Sequence, residues 1–163
     1  MDLLHELSLA MIKYYQGDPK RIQHFIKVHS FARLIGTMEK LDAKTLFILE
    51  AAALTHDIGI KTAESKFNSS SGKLQEQEGP APAKIMLTDL GFASNVIERV
   101  CYLIAHHHTY DKIDGKDYQI LVEADFLVNL YEDNLPQKAA RTALTRIFKT
   151  EAGCFLCKTM FNI

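Results

Sequence analysis

No apolar stretch of the chain approaches the roughly 20 residues that a membrane-spanning helix needs. The start, MDLLHELSLAMIKYY, has no basic lead and is interrupted by Asp2, His5 and Glu6, so it does not read as a secretion signal. Cysteine is scarce. Cys101, Cys154 and Cys157 form an odd, sparse set, which points to free thiols in a reducing cytoplasm rather than to a disulfide framework. The Cys154-x-x-Cys157 pair has no second pair to complete a zinc site and no βαβ pattern to make it a redox motif, so these cysteines read as small core residues. Excess charge is lacking as well: a net charge of −1 excludes the broad basic surface of a nucleic-acid binder.

What the chain does have is an apolar period of about 3.6 residues along almost its whole length. No strand-like alternation, repeat or low-complexity tract interrupts it, so the expected fold is all-α. With 163 residues it reads as one domain covering residues 1–163. Six or seven helices are expected. The first covers residues 3–16, and Gly17-Asp18-Pro19 supplies a break, a cap and a first-turn proline for a second over residues 19–40. Asp42 caps a third, reaching about His56. The polar run KTAESKFNSSSGKLQEQEG, residues 61–79, reads as a long loop of the kind that often forms a lid. Further helices are expected over residues 80–91, 94–107 and 117–134, with a seventh after Pro136. The tail AGCFLCKTMFNI is apolar enough to be either the last core helix or a contact between the copies of a homodimer.

Placed on these helices, the ionisable residues make a pattern. His24 shares a face with Val28, Phe31 and Ile35; His56 with Leu46, Leu49 and Ala53; His107 with Val96, Val100 and Leu103; Asp125 with Leu121 and Val128. A single inward histidine is usually a satisfied core residue. Four apolar stripes that each carry an imidazole or carboxylate are another matter, because interiors avoid such groups unless they are paired or metal-bound. One divalent cation would satisfy them together, and it would be the partner of the adjacent His56 and Asp57 in ALTHDIGIK. His106, His107 and His108 compete for one role; helical geometry favours His107, leaving His108 one step round and His106 turned away.

The order His … His-Asp … His … Asp resembles that of the HD-domain superfamily of metal-dependent phosphohydrolases. The resemblance is carried by RIQHFIKVHSFARLIG, AAALTHDIGI, LIAHHHTYD and LVEADFLVNL, and covers about residues 20–135. It implies His24, His56, Asp57 and Asp125 as the ligands of one metal. Two-metal members add histidines, one from a segment like His-Gly-x-x-x-Ala; here that segment reads EGPAPA, so Glu78 stands in its place, and a carboxylate can still bind a hard metal. Members that read His-Asp-x-Gly-Lys have their lysine directly after the glycine, whereas here Ile60 intervenes before Lys61. The Gly-Tyr-Pro signature of the cyclic-dinucleotide branch is replaced by DKIDGKDY.

The implied activity is hydrolysis of a small phosphorylated molecule, with a nucleotide expected, by a metal-activated water. Asp57 would orient the attack, His108 would protonate the leaving group, Lys61 is a candidate for substrate contact, and Arg21 could grip phosphate bidentately. One or two ions such as Mn, Fe, Co or Ni suit imidazole-rich ligation better than Mg alone. Two other readings share these ligands: a di-iron oxygenase, and a non-catalytic signalling module on a decayed fold.

Overall fold

The computed structural model describes residues 2–163, and every regular element among them is helical. There are ten: α1 (Leu3–Tyr14), α2 (Pro19–Met38), α3 (Ala43–Thr55), α4 (Gly59–Phe67), α5 (Gly72–Glu78), α6 (Pro80–Asp89), α7 (Ser94–Ile104), α8 (Lys116–Glu132), α9 (Gln137–Arg146) and α10 (Glu151–Phe161). This exceeds the six or seven expected, for two local reasons. The polar run 61–79 is not a loop but carries α4 and α5. Asn68 ends α4 in the left-handed conformation, and the Ser71 side chain accepts from the Leu74 N–H at the start of α5. The chain after Pro136 also breaks once, where Thr150 caps α10 through the Gly153 N–H.

The starts of the long helices are explained by their caps. Asp2, Asp18 and Asp42 each accept a backbone N–H in the first turn of α1, α2 and α3, and Pro19 occupies the first position of α2, where no N–H is needed. Helix α3 runs through the middle of the molecule, with Ile48 to Thr55 all buried, and α2, α7 and α8 pack around it. On α8, Tyr118, Leu121, Val122 and Leu127 are likewise inside. The apolar stripes of α2, α3, α7 and α8 thus meet in one core, and their polar ends emerge at one place. Helix α10 buries Ala152, Gly153 and Cys157 and leaves Phe155 exposed, so the tail is a packed final helix. All three cysteines are free thiols. No helix among the described residues is long and apolar enough to cross a membrane.

Two glycines place the outer segment. A Cβ on Gly59 would lie 2.6 Å from the Gly79 nitrogen, and one on Gly79 would collide with Ile104 Cγ2. Only glycine at both positions lets the α5–α6 junction pass so close to the start of α4 and the end of α7. That close pass brings α5 against the histidine turn described below.

Candidate metal centre

Helix α3 ends at Thr55, and His56 and Asp57 sit on the turn that follows. Hydrogen bonds from Ile58 N–H to the Thr55 carbonyl and from Ile60 N–H to the Asp57 carbonyl shape this turn. The buried Tyr15, at the end of α1, donates its hydroxyl to the Asp57 carbonyl at 2.7 Å. The turn holds the His56 ring fully buried while the Asp57 carboxylate stays partly open to the cavity in front of it.

Three side chains from elsewhere in the fold meet this pair. His24 Nε2, from α2, is 3.2 Å from His56 Nε2, 3.2 Å from Asp57 Oδ2 and 3.2 Å from Asp125 Oδ1 of α8. His56 Nε2 lies 3.4 Å from both of those carboxylate oxygens. The other oxygen of Asp57, Oδ1, faces His107 Nε2 at 3.5 Å. Asp57 therefore divides its two oxygens between a His24–His56 side and a His107–His108 side, and each side forms a compact set of ligand atoms.

The rings are fixed from behind. His56 Nδ1–H donates to the Ala53 carbonyl at 2.8 Å and His107 Nδ1–H to the Ile104 carbonyl at 2.7 Å. His24 Nδ1 is 3.1 Å from Glu132 Oε1. With the protons on Nδ1, all three Nε2 lone pairs point inward, the tautomer and orientation usual for metal-ligating histidines.

That arrangement suits a cation. Three imidazole lone pairs and two carboxylates converge in a buried space, and His107 Nε2 has no hydrogen-bond partner although it is buried. An uncompensated cluster of acceptors in low dielectric is costly. Without a metal, protons must serve. Burial alone would push the His24 pKa down, but hydrogen bonds and charge from Asp125 and Asp57 raise it to about 11. His56 is raised against burial by Asp57 and Asp125, and both carboxyls are held low, against burial, by the imidazoles around them. The donor set of neutral imidazole and carboxylate suits a divalent first-row ion.

The HD-domain family model matches residues 21–149, a span that contains all these ligand atoms. The chain belongs to the HD-domain family. No curated protein and no solved structure matched the chain. The His-Asp pair that names such domains is here the shared corner of two ligand sets, His24–His56–Asp57 and Asp57–His107–His108, with Asp125 beside the first.

The remaining sequence candidates of this HD domain fall on both sides of the line. Helix α7 stops at Ile104, short of the expected His107, so the three histidines occupy a turn rather than a regular helix. His107 nevertheless points inward, while His106 stacks on Tyr102 with ring centroids 4.2 Å apart and bonds back to the Tyr102 carbonyl. His108, expected as the leaving-group acid, joins Asp57 and His107 in a set of candidate ligand atoms. Its Nε2 meets Gln75 Oε1 at 2.7 Å, and burial, then neighbouring His107, pushes its pKa down to about 4.

Three candidates are engaged elsewhere. Glu78 is paired with Lys66 at 3.0 Å and lies outside both ligand sets. Lys61 donates to the Tyr14 carbonyl and lies over the Tyr14 ring, turned from the carboxylates because the extra Ile60 rotates it round α4. Arg21 borders the cavity, but its guanidinium is held by Asp18 at 2.6 Å and Glu64 at 2.5 Å.

Sequence reasoning missed Glu132, Asn129, Gln75 and Tyr15. The first two had a signal: residues 129 and 132 lie four and seven positions after Asp125, on the same helical face. Asn129 Nδ2 indeed donates to Asp125 Oδ1 at 2.9 Å. Gln75 and Tyr15 reach the site only through tertiary packing.

Proposed function

We propose that this HD domain is a metal-dependent phosphohydrolase acting on a small phosphorylated metabolite. The observation that carries the reading is the convergence of imidazole Nε2 atoms and two carboxylates at the floor of a cavity of about 360 Å³. When bound, a divalent ion supplies Lewis acidity, acidifying water from a pKa of about 15.7 towards 7 and offsetting negative charge at phosphorus.

The chain's own residues do the rest. His24, His56, Asp57 and Asp125 would hold the first ion, and Asp57, His107 and His108 a second. Glu132 behind His24, and the carbonyls behind His56 and His107, keep the donor atoms aimed so that no reorganisation is needed during reaction. Gln75 fixes the His108 ring from the opposite wall. Lys20, at the mouth, attracts an anionic substrate.

Metal analysis of protein purified without chelator, followed by phosphate release from a panel of phosphorylated compounds with added Mn²⁺, tests the reading. Bound transition metal and chelator-sensitive phosphate release are expected. Dioxygen consumption by the iron-loaded protein without phosphate release would replace the hydrolase by the oxygenase reading.

A further inference from the structure

The cavity over the metal centre has an unusual lining for a small-molecule site. Ligand pockets are mostly apolar and aromatic with a few polar groups. Here eleven of the twelve lining residues are polar or charged, Ile60 is the exception, no Phe, Tyr or Trp lines the space, and its two rings, His24 and His108, belong to the candidate ligand sets. A nucleobase buried in it would find only the ligand imidazoles and the ion-paired Arg21 guanidinium to stack on, and stacking is a main source of base affinity.

The polar wall has a definite origin. From Asp125, one face of α8 continues outward through Asn129 to Glu132 and Asp133 at the mouth. These last two acids stand at the C-terminal end of α8, where the helix dipole disfavours negative charge, and the last turn carries no basic residue. Local rules broken without a packing reason tend to mark functional positions. Glu132 has partners in His24 and Lys27, at 3.1 Å each. Asp133 is exposed, and Ser70 and Gln75 line the same cavity. The set offers acceptors to hydroxyl donors. Asp133 at the rim also disfavours additional anionic groups.

Resting on the phosphohydrolase reading, we propose that the substrate is the monophosphate of a polyhydroxylated, non-aromatic compound, a sugar or polyol phosphate. Its phosphate lies towards the metal ligands and Lys20, and its hydroxyls are read by Asn129 and Asp133. Nucleotides are disfavoured because no Phe, Tyr or Trp is there to stack a base, and polyphosphates are disfavoured further by Asp133 at the rim.

The test measures phosphate release by the Mn²⁺-loaded full chain from pentose and hexose monophosphates, nucleoside 5′-monophosphates and nucleoside triphosphates, with melting-temperature shifts for the same compounds. The best sugar phosphate is expected to exceed every nucleotide by at least about tenfold in kcat/KM, and to give the larger thermal shift. Asp133→Asn, an isosteric change at an exposed position, is expected to raise KM for that sugar phosphate several-fold with kcat nearly unchanged. It should also narrow the margin over nucleoside triphosphates. Turnover favouring nucleotides, or an unchanged KM in Asp133→Asn, overturns the substrate assignment and leaves the phosphohydrolase reading standing. Phosphate release from none of the compounds overturns both.

Discussion

The inner and outer walls of the metal centre are held by different forces. The inner wall belongs to α2, α3 and α8, whose ligands sit among fully buried side chains: Val28 beside His24, Ala53 and Leu54 before His56, Leu121 and Ala124 before Asp125. The outer wall belongs to α5 and the turn after α7. It depends on polar bonds: Gln75 to the His108 ring, and Glu76 Oε1 accepting from the His108 N–H and the Thr109 hydroxyl, each at 2.9 Å. Close packing fixes the first set of ligands by volume, whereas a few hydrogen bonds, each worth about 1 kcal/mol net, fix the second. The first set is expected to be rigid and indispensable, and the second to be adjustable.

The largest effect is expected at the shared corner. Asp57→Ala removes an oxygen from both ligand sets, and His56→Ala removes a buried ring from the first. Each should abolish metal retention, measured by elemental analysis. Phosphate release should fall further than the roughly 10–100-fold typical of losing a residue behind a ligand. Helical content by circular dichroism should stay near native, since the turn lies outside the helices. Full metal content in either variant would break the contrast between the walls.

Next comes the pH response of the inner wall. In the metal-free chain the His24 pKa stands at about 11, above its ordinary 6.5. The folded state therefore binds more protons than the unfolded one between those values. This contribution to stability is complete below about pH 6.5 and is lost as pH rises towards 11. A metal needs the same nitrogen unprotonated, so binding releases protons and tightens as pH rises. Denaturant unfolding from pH 6 to 9 should show the metal-free protein weakening with pH and the stabilisation by Mn²⁺ growing. A stabilisation independent of pH would mean that His24 carries no proton to displace.

The same contrast explains what the sequence discloses. The inner wall was legible because its ligands continue apolar stripes on long helices, so that a 3.6-residue count aims His24, His56 and Asp125 at one point. Helices α4 and α5 were not legible by that count. Helix α5 buries no residue and α4 offers only a short apolar stripe, Ile60 and Ala63, so their order comes largely from caps at Ser71 and Asn68 and from the close pass of Gly59 and Gly79. The end of α7 escaped for a related reason. Apolar periodicity carries on through His107 as if the helix did, yet the backbone turns at Ala105 and still delivers His107 inward.

A smaller and graded effect is expected from the three histidines on that turn. His107 is buried and its Nε2 has no partner besides a metal, so His107→Ala should cost the most metal and activity. His108→Ala should cost less, with stoichiometry falling from about two towards one if both sets are filled. His106→Ala loses a stacking contact with Tyr102 and should act on stability, by about 0.5–1.5 kcal/mol, without changing metal content. Gln75→Ala should resemble a mild His108→Ala. Equal metal losses at all three histidines would show that the turn is held less tightly than its hydrogen bonds suggest.

The smallest effect is expected at Glu78, where the contrast between the walls is sharpest. By analogy with two-metal relatives this residue stands where a ligand would be, yet its carboxylate is spent on Lys66, whose side chain is 57% exposed. An ion pair with one partner in solvent contributes about 0–1 kcal/mol. Glu78→Ala should therefore lower stability by no more than that, and leave metal stoichiometry and turnover near native. The alternative outcome is specific. If stoichiometry fell by one while Lys66→Ala left it unchanged, Glu78 would have to abandon its lysine and rotate towards Asp57 and His107 when metal is present. The outer wall would then rearrange around its second ion, which hydrogen bonds on α5 permit and a packed core would not.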